Sequence, residues 1–181
     1  MKIGLVRHFK VDYKSHNPFY YPDEFRLAMK KYDEAEVIID KTDLGGIDWE
    51  ICFSSSLKRA SITAQSIFTG DIIETDLLRE VSLLPFTNIN FKLPWFVWHI
   101  GARVAWAKNS KSQAETKQET SERMKLIYDN IIDSQRQNVL LVTHGFFMKC
   151  FSGFLSSKGF EGSIDPFPHN GRLYLYKKNE R

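Results

Sequence analysis

The sequence predicts a three-layer α/β sandwich with a mostly parallel central sheet flanked by helices. Three observations carry that prediction: short apolar runs of strand length, helical spacing between most of them, and polar residues gathered directly after three of the runs. Open parallel sheets place ligands at the carboxyl ends of their strands, so the polar residues there are the first candidates for a site.

The bounds agree with one soluble globular domain spanning residues 1–181. At 181 residues, with 43% apolar and 26% charged side chains, the chain can bury a substantial core. A net charge of +3 is mildly basic and unclustered, which argues against a nucleic-acid partner and fits small anionic substrates. Cys52 and Cys150 are too few for a disulfide framework and lie in apolar runs, where they read as core residues. No leader pattern opens the chain and no apolar run approaches the ~20 residues a membrane helix needs, so no membrane partner is expected and the cytoplasm is the default location.

In chain order, Lys2 to Val6 reads as a buried strand, and Arg7-His8 ends it with groups that want water, an anion or a proton to exchange. Phe25, Ala28, Tyr32, Ala35 and Ile39 recur at helical spacing. A second strand, Ile51 to Phe53, runs into "SSS" and a helix with Leu57, Ala60, Ala64 and Ile67 on one face. Ser55 or Ser56 suits the helix cap. Lys58 and Arg59 in its first turn oppose the helix dipole by roughly 0.3–1 kcal/mol, a conflict that an anion bound there would remove. The segment from about Pro85 to Trp106 holds three of the four tryptophans, and the polar run 108–123 reads as a solvated loop entering the helix of Met124, Ile127, Tyr128 and Ile131. Val139 to Val142 is a third strand, closed by Thr143-His144-Gly145, where a plain turn and a loop histidine would be the simplest reading. A helix with Phe147, Cys150, Phe151 and Phe154 on one face follows, and Leu173 to Tyr176 is the last strand.

Three strand ends carrying a cation or an imidazole would converge on a pocket shaped for a dianion. His16, His99 and His169 form no metal-ligand spacing and neither cysteine lies in a zinc pattern, so no metal and no cofactor are expected.

Arg7-His8, Ser54 to Ala60 with Thr63-Ala64, Leu78-Arg79-Glu80 and Thr143-His144-Gly145 together resemble the histidine phosphatase superfamily, the phosphoglycerate mutase-like family. Asn170-Gly171 before the last strand resembles that family's ending. The resemblance implies a phosphatase that hydrolyses phosphate monoesters through a phosphohistidine on His8. Glu80 would be the proton donor, while Arg7, Arg59 and His144 would bind the phosphoryl group; half of a surface ion pair is the simpler reading of Glu80. Two departures stand out: Phe9 follows the histidine where the family has glycine, which implies extended backbone with the ring over the pocket edge, and Ser56 replaces the usual proline or aspartate. The substrate would be a small phosphate monoester or a phosphoprotein. A mutase-like phosphotransferase and a catalytically weak phosphate-ester binding module are the alternatives. The aromatic insertion reads equally as a lid or as packing, the latter in a core or a homodimer contact, and more weakly as a membrane-surface helix.

Overall fold

The computed structural model describes residues 1–14 and 17–178, so His16 lies outside the described residues. Its elements are β1 (Lys2–Arg7), β2 (Phe19–Tyr20), α1 (Pro22–Glu34), β3 (Ile51–Ser55), α2 (Lys58–Ile67), β4 (Ile72–Thr75), a 3₁₀ turn (Asp76–Leu78), β5 (Leu93–Pro94), α3 (Trp95–Ala107), α4 (Lys117–Asp133), β6 (Asn138–Thr143), α5 (Gly145–Ser157) and β7 (Leu173–Lys177). By its contacts the chain divides into two compact units. The first comprises Met1–Lys10, Val37–Glu80 and Arg123–Arg181; the second comprises Val11–Glu36 and Val81–Glu122.

The first unit is the expected sandwich. Its five-stranded sheet has the order β4-β3-β6-β1-β7, parallel throughout except for β7, which pairs antiparallel with β1. Side chains alternate across a sheet with period two, and here both faces are apolar. Ile3, Leu5, Phe53, Val139 and Leu141 face one side, where Met124, Ile127 and Ile131 of α4 and Phe147, Phe151 and Leu155 of α5 cover them. Val6, Cys52, Leu140 and Val142 face the other side and pack with Ala60 and Ala64 of α2 and with Trp49. Burial pushes the Cys52 thiol up to about 12, which leaves it an inert core group.

Two elements differ from the sequence expectation. The spacing carried the first helix to Ile39, but α1 stops at Glu34 and Ala35 turns to extended backbone. Beyond it the chain pairs with the segment after β1: Asp12 N donates to Glu36 O and Ile38 N to Lys10 O, both at 2.8 Å, and these bonds replace further helical turns. The edge strand β4 has no long apolar signature, being only half covered, and its periodicity is correspondingly faint.

The second unit holds the whole of the aromatic insertion, whose later part forms α3. Trp98 is fully buried among Tyr20, Phe25 and Ala28, stacks on Phe25 at 5.6 Å, and its indole N–H donates to Tyr20 O at 2.9 Å. The Trp106 indole donates to Thr120 Oγ1 at 2.9 Å. Thr120 lies in the stretch read as solvated, yet it is buried. Thr116 and Glu119 start α4 with reciprocal bonds, Thr116 N to the Glu119 carboxylate at 2.7 Å and Glu119 N to Thr116 Oγ1 at 3.2 Å, a capping box.

Candidate active site

Strands β1, β3 and β6 run parallel, so Arg7, Ser55 and Thr143 end together on one edge of the first unit's sheet. The chain leaves each strand carrying the residues singled out from sequence.

His8 is 2% exposed. Its Nδ1 lies 2.6 Å from the carbonyl oxygen of Phe9, which only accepts, so Nδ1 carries the proton and Nε2 the lone pair. That lone pair receives the Nε–H of Arg59 at 3.2 Å. Burial first and then the cation Arg59 hold the imidazole down to about 3; the Phe9 carbonyl pulls the other way, and Arg7 adds a smaller lowering. His8 is therefore a neutral imidazole with a directed lone pair at ordinary pH.

The backbone around His8 is clamped. Phe9 N donates to Thr63 Oγ1 at 2.8 Å, and that hydroxyl donates to Arg59 O at 2.7 Å, tying the loop to the first turns of α2. The Asn170 side-chain amide donates to His8 O at 2.6 Å. Phe9 keeps negative φ, so its bulky side chain meets no backbone strain, and its ring is buried rather than spread at an edge: it packs against Gly171. Gly171 sits at φ +67°, and a Cβ there would lie 3.0 Å from the Phe9 ring, so the position demands glycine twice over.

The serine cap expected for α2 takes another form. Leu57 is the N-cap and its side chain caps nothing; Ser55 Oγ accepts Leu57 N at 3.2 Å and shares a 2.8 Å hydrogen bond with His144 Nε2. Ser56 turns outward to Asp76. Arg59, the cation that conflicted with the helix dipole, is 2% exposed and spends its guanidinium on the site.

His144 is fully buried, its ring 5.1 Å from that of His8. Burial, followed by Arg59, His8, Arg7 and Arg123, holds it well below the ordinary histidine range. Its Nδ1 is buried without a hydrogen-bond partner, and so is Arg7 Nε. Arg7 Nη1 donates to Pro168 O at 2.7 Å, and its guanidinium lies against Gly145, where a Cβ would come within 3.2 Å of Nε. Glu80 accepts from the amides of Phe146 at 3.1 Å and Phe147 at 2.9 Å, in the first turn of α5. Thr143 Oγ1 donates to Leu78 O at 2.6 Å, and Arg123 Nη1 donates to the carbonyls of Leu77 and Arg79, which fixes the segment leading to Glu80. Arg79 itself reaches Asp76 at 3.6 Å.

All five candidate residues thus come to one sheet edge in one unit. His8, Arg59 and His144 form its centre, Arg7 reaches from the end of β1 to lie against the start of α5, and Glu80 sits on the amides of that same helix. Sequence reasoning gave no role to Thr63, Asn170 or Arg123, and read Ser55 as a cap alone. Thr63 and Asn170 were visible only as part of the family resemblance, with no role attached, and Arg123, on α4, had no signal at all. The chemistry the arrangement supports follows: two guanidinium groups and two neutral imidazoles converge in buried, low-dielectric surroundings, Arg7 Nε and His144 Nδ1 lack partners, and a phosphoryl dianion would supply them. No group of three or more His, Cys, Asp or Glu suited to a metal ion occurs among the described residues, and none of their helices is long and apolar enough to cross a membrane.

Residues 3–175 match the histidine phosphatase superfamily (branch 1). A 2,3-bisphosphoglycerate-dependent phosphoglycerate mutase from Nautilia profundicola is 32% identical over 132 residues, 73% of this chain; the chain spans about half the length of that relative, 51%. Among solved structures, a putative alpha-ribazole-5'-P phosphatase from Escherichia coli superposes with a TM-score of 0.54 at 17% identity, covering 99% of this chain and 97% of its own. A mycobacterial glucosyl-3-phosphoglycerate phosphatase superposes with a TM-score of 0.51 at 20% identity, covering 85% and 81%. These neighbours share the fold. The chain belongs to the histidine phosphatase superfamily.

Proposed function

We propose that this member of the superfamily hydrolyses phosphate monoesters through a phosphohistidine on His8. The observation that carries the reading is the Nδ1–H bond to the Phe9 carbonyl, which leaves the lone pair on Nε2; Arg59 Nε–H occupies it at 3.2 Å and would pass to the phosphoryl oxygens as substrate enters, freeing the lone pair to attack. The steps balance as follows. Nε2 attacks phosphorus, the ester P–O bond breaks, and Glu80 delivers a proton to the departing alkoxide. Water then gives its proton back to Glu80 and attacks the phosphohistidine; the P–N bond breaks, inorganic phosphate leaves, and His8 regains its lone pair. Arg7, Arg59 and His144 hold the three equatorial oxygens, and the unpartnered Arg7 Nε and His144 Nδ1 gain the partners they lack.

The decisive experiment follows label and product together. Wild-type protein mixed with a ³²P-labelled monoester and quenched in alkali should carry label on His8 and release inorganic phosphate at a rate unaffected by chelator; His8→Ala should do neither. Label on His144 would exchange the roles of the two histidines, and a chelator-sensitive rate would replace the mechanism with a metal-assisted one. The 32% relationship to a mutase favours one second reading. It would prevail if 3-phosphoglycerate with 2,3-bisphosphoglycerate gave 2-phosphoglycerate faster than phosphate was released.

A further inference from the structure

Loop Asp165–Arg172 does more than lead into β7. Asp165 accepts from the Tyr174 hydroxyl at 2.7 Å and from Arg172 Nη1 at 3.0 Å, while that hydroxyl accepts His169 N at 2.9 Å. Pro168 gives its carbonyl to Arg7, Gly171 N donates to Arg7 O at 2.8 Å, and Asn170 holds the His8 carbonyl. The loop is thus stapled to the two residues that head the site. Within it stands Phe167, 85% exposed, although its neighbour Pro168 is buried. The ammonium of Lys149, on the second turn of α5, lies 5.8 Å from the ring centroid, a cation–π contact that orients the ring and leaves most of it open.

An aromatic ring on a rigid loop, one residue from the carbonyl that holds Arg7, has no packing reason to face water. With Pro168 O 2.7 Å from Arg7 Nη1, one peptide step of ~3.8 Å and the reach of the side chain place the ring within roughly 13 Å of the Arg7 guanidinium. A phosphoryl group held on that guanidinium and a flat ring carried close to it span such a distance. We propose that Phe167 is a specificity-determining residue that stacks on the leaving group, so that the preferred substrates are monoesters whose alcohol portion carries a planar ring near the phosphate. The inference rests on the phosphatase reading for its catalytic consequence, but not for its binding consequence.

The test therefore uses both. For binding, calorimetry compares benzylphosphonate, which cannot be hydrolysed, with methylphosphonate. Phe167→Ala should weaken the aromatic phosphonate about three- to tenfold, the range of one aromatic pair, and leave methylphosphonate unchanged. Phe167→Tyr should restore the difference. For turnover, kcat/KM for 1-naphthyl phosphate should fall by a similar factor and that for glycerol 3-phosphate should hold. Equal losses on both ligands, or none on either, would overturn the stacking role. Normal phosphonate discrimination with no hydrolysis of any ester would instead overturn the phosphatase reading and keep this one. Since Phe167 is exposed, the variant should melt with the wild type, and circular dichroism checks that it does.

Discussion

The two aromatic-and-polar concentrations of this chain have opposite accounts. At the strand ends of the first unit, polar groups are buried with their capacity partly unmet: His144 Nδ1 and Arg7 Nε have no partner, and two cations crowd two neutral imidazoles. In the second unit the buried aromatic side chains around Trp98 satisfy one another. Trp98 finds a carbonyl for its N–H, rings on either side and no water. The second unit also holds an unpartnered buried nitrogen, His99 Nε2, but its ring lies 4.5 Å from Trp95, edge-on to Phe25, and burial with Arg103 holds it down to about 4. An orphan atom alone is therefore not a site. What distinguishes the strand ends is an orphan beside a directed lone pair and fixed cations, a combination that an anion completes.

The largest expected effect sharpens the first half of that comparison. Glu80→Gln keeps one oxygen for one of the two amides, of Phe146 and Phe147, that its carboxylate accepts on separate oxygens, and it has no acidic proton to give. Phosphorylation of His8 by alkyl phosphates should slow on the order of 10²–10⁴-fold, and by nitrophenyl phosphate only mildly, because a nitrophenolate leaves without protonation. Equal slowing of both in single-turnover measurements would make Glu80 a brace for α5 alone.

Trp98→Ala probes the other half. Removing a fully buried indole should cost about 3–5 kcal/mol in denaturant unfolding, the usual range for a large aromatic truncated in a core. At a temperature where the variant stays folded, kcat/KM for small monoesters should be unchanged. Lost turnover in folded protein would break the comparison by giving the aromatic cluster a part in the chemistry.

Acid should act on both regions, with one sign. His8 and His99 titrate near 3 and 4 in the folded chain against 6.5 when unfolded, and His144 is also lowered. Below about 6.5 the unfolded chain therefore binds protons that the folded chain refuses, so stability is full above that pH and falls as pH drops toward 4 and 3. Orthovanadate or phosphate should soften this acid loss, because an anion between His8 and His144 favours their charged forms. His99→Phe should soften it independently of anion. If the two effects failed to add in thermal melts, the regions would not be separate.

How much of this was legible beforehand follows the same division. The strands and the three polar strand ends could be read because a residue that needs an ion or a proton is conspicuous beside an apolar run, as with Arg7-His8 and Thr143-His144. The partners that hold them were not legible. Thr63 and Asn170 lie 54 and 162 residues from the groups they bind, and nothing local in a threonine or an asparagine announces such a contact. Ser55 misled in a different way, since a hydroxyl before a helix fits a cap, and only the fold shows that His144 shares it. The aromatic insertion was ambiguous because tryptophan suits lids and cores alike; burial of Trp98 decides its own case.

The smallest expected effect lies at Gly145, where the two kinds of account meet. It is the first residue of α5 and its φ is negative, so alanine fits the backbone, and alanine's helix propensity is better than that of glycine by up to ~1 kcal/mol. Packing alone predicts that Gly145→Ala is neutral or slightly stabilising. The site predicts a loss, because the new Cβ would stand 3.2 Å from Arg7 Nε and 3.3 Å from Cζ, tight enough to push the guanidinium aside by a few tenths of an ångström. Pro168 holds Nη1, so the displacement falls on Nε, the atom left free for a phosphoryl oxygen. The variant should melt at or slightly above the wild-type temperature while KM for every monoester rises severalfold and kcat changes less. An unchanged KM would mean that Arg7 Nε is not a phosphate donor, and the pocket would then rest on Arg59 and the two histidines.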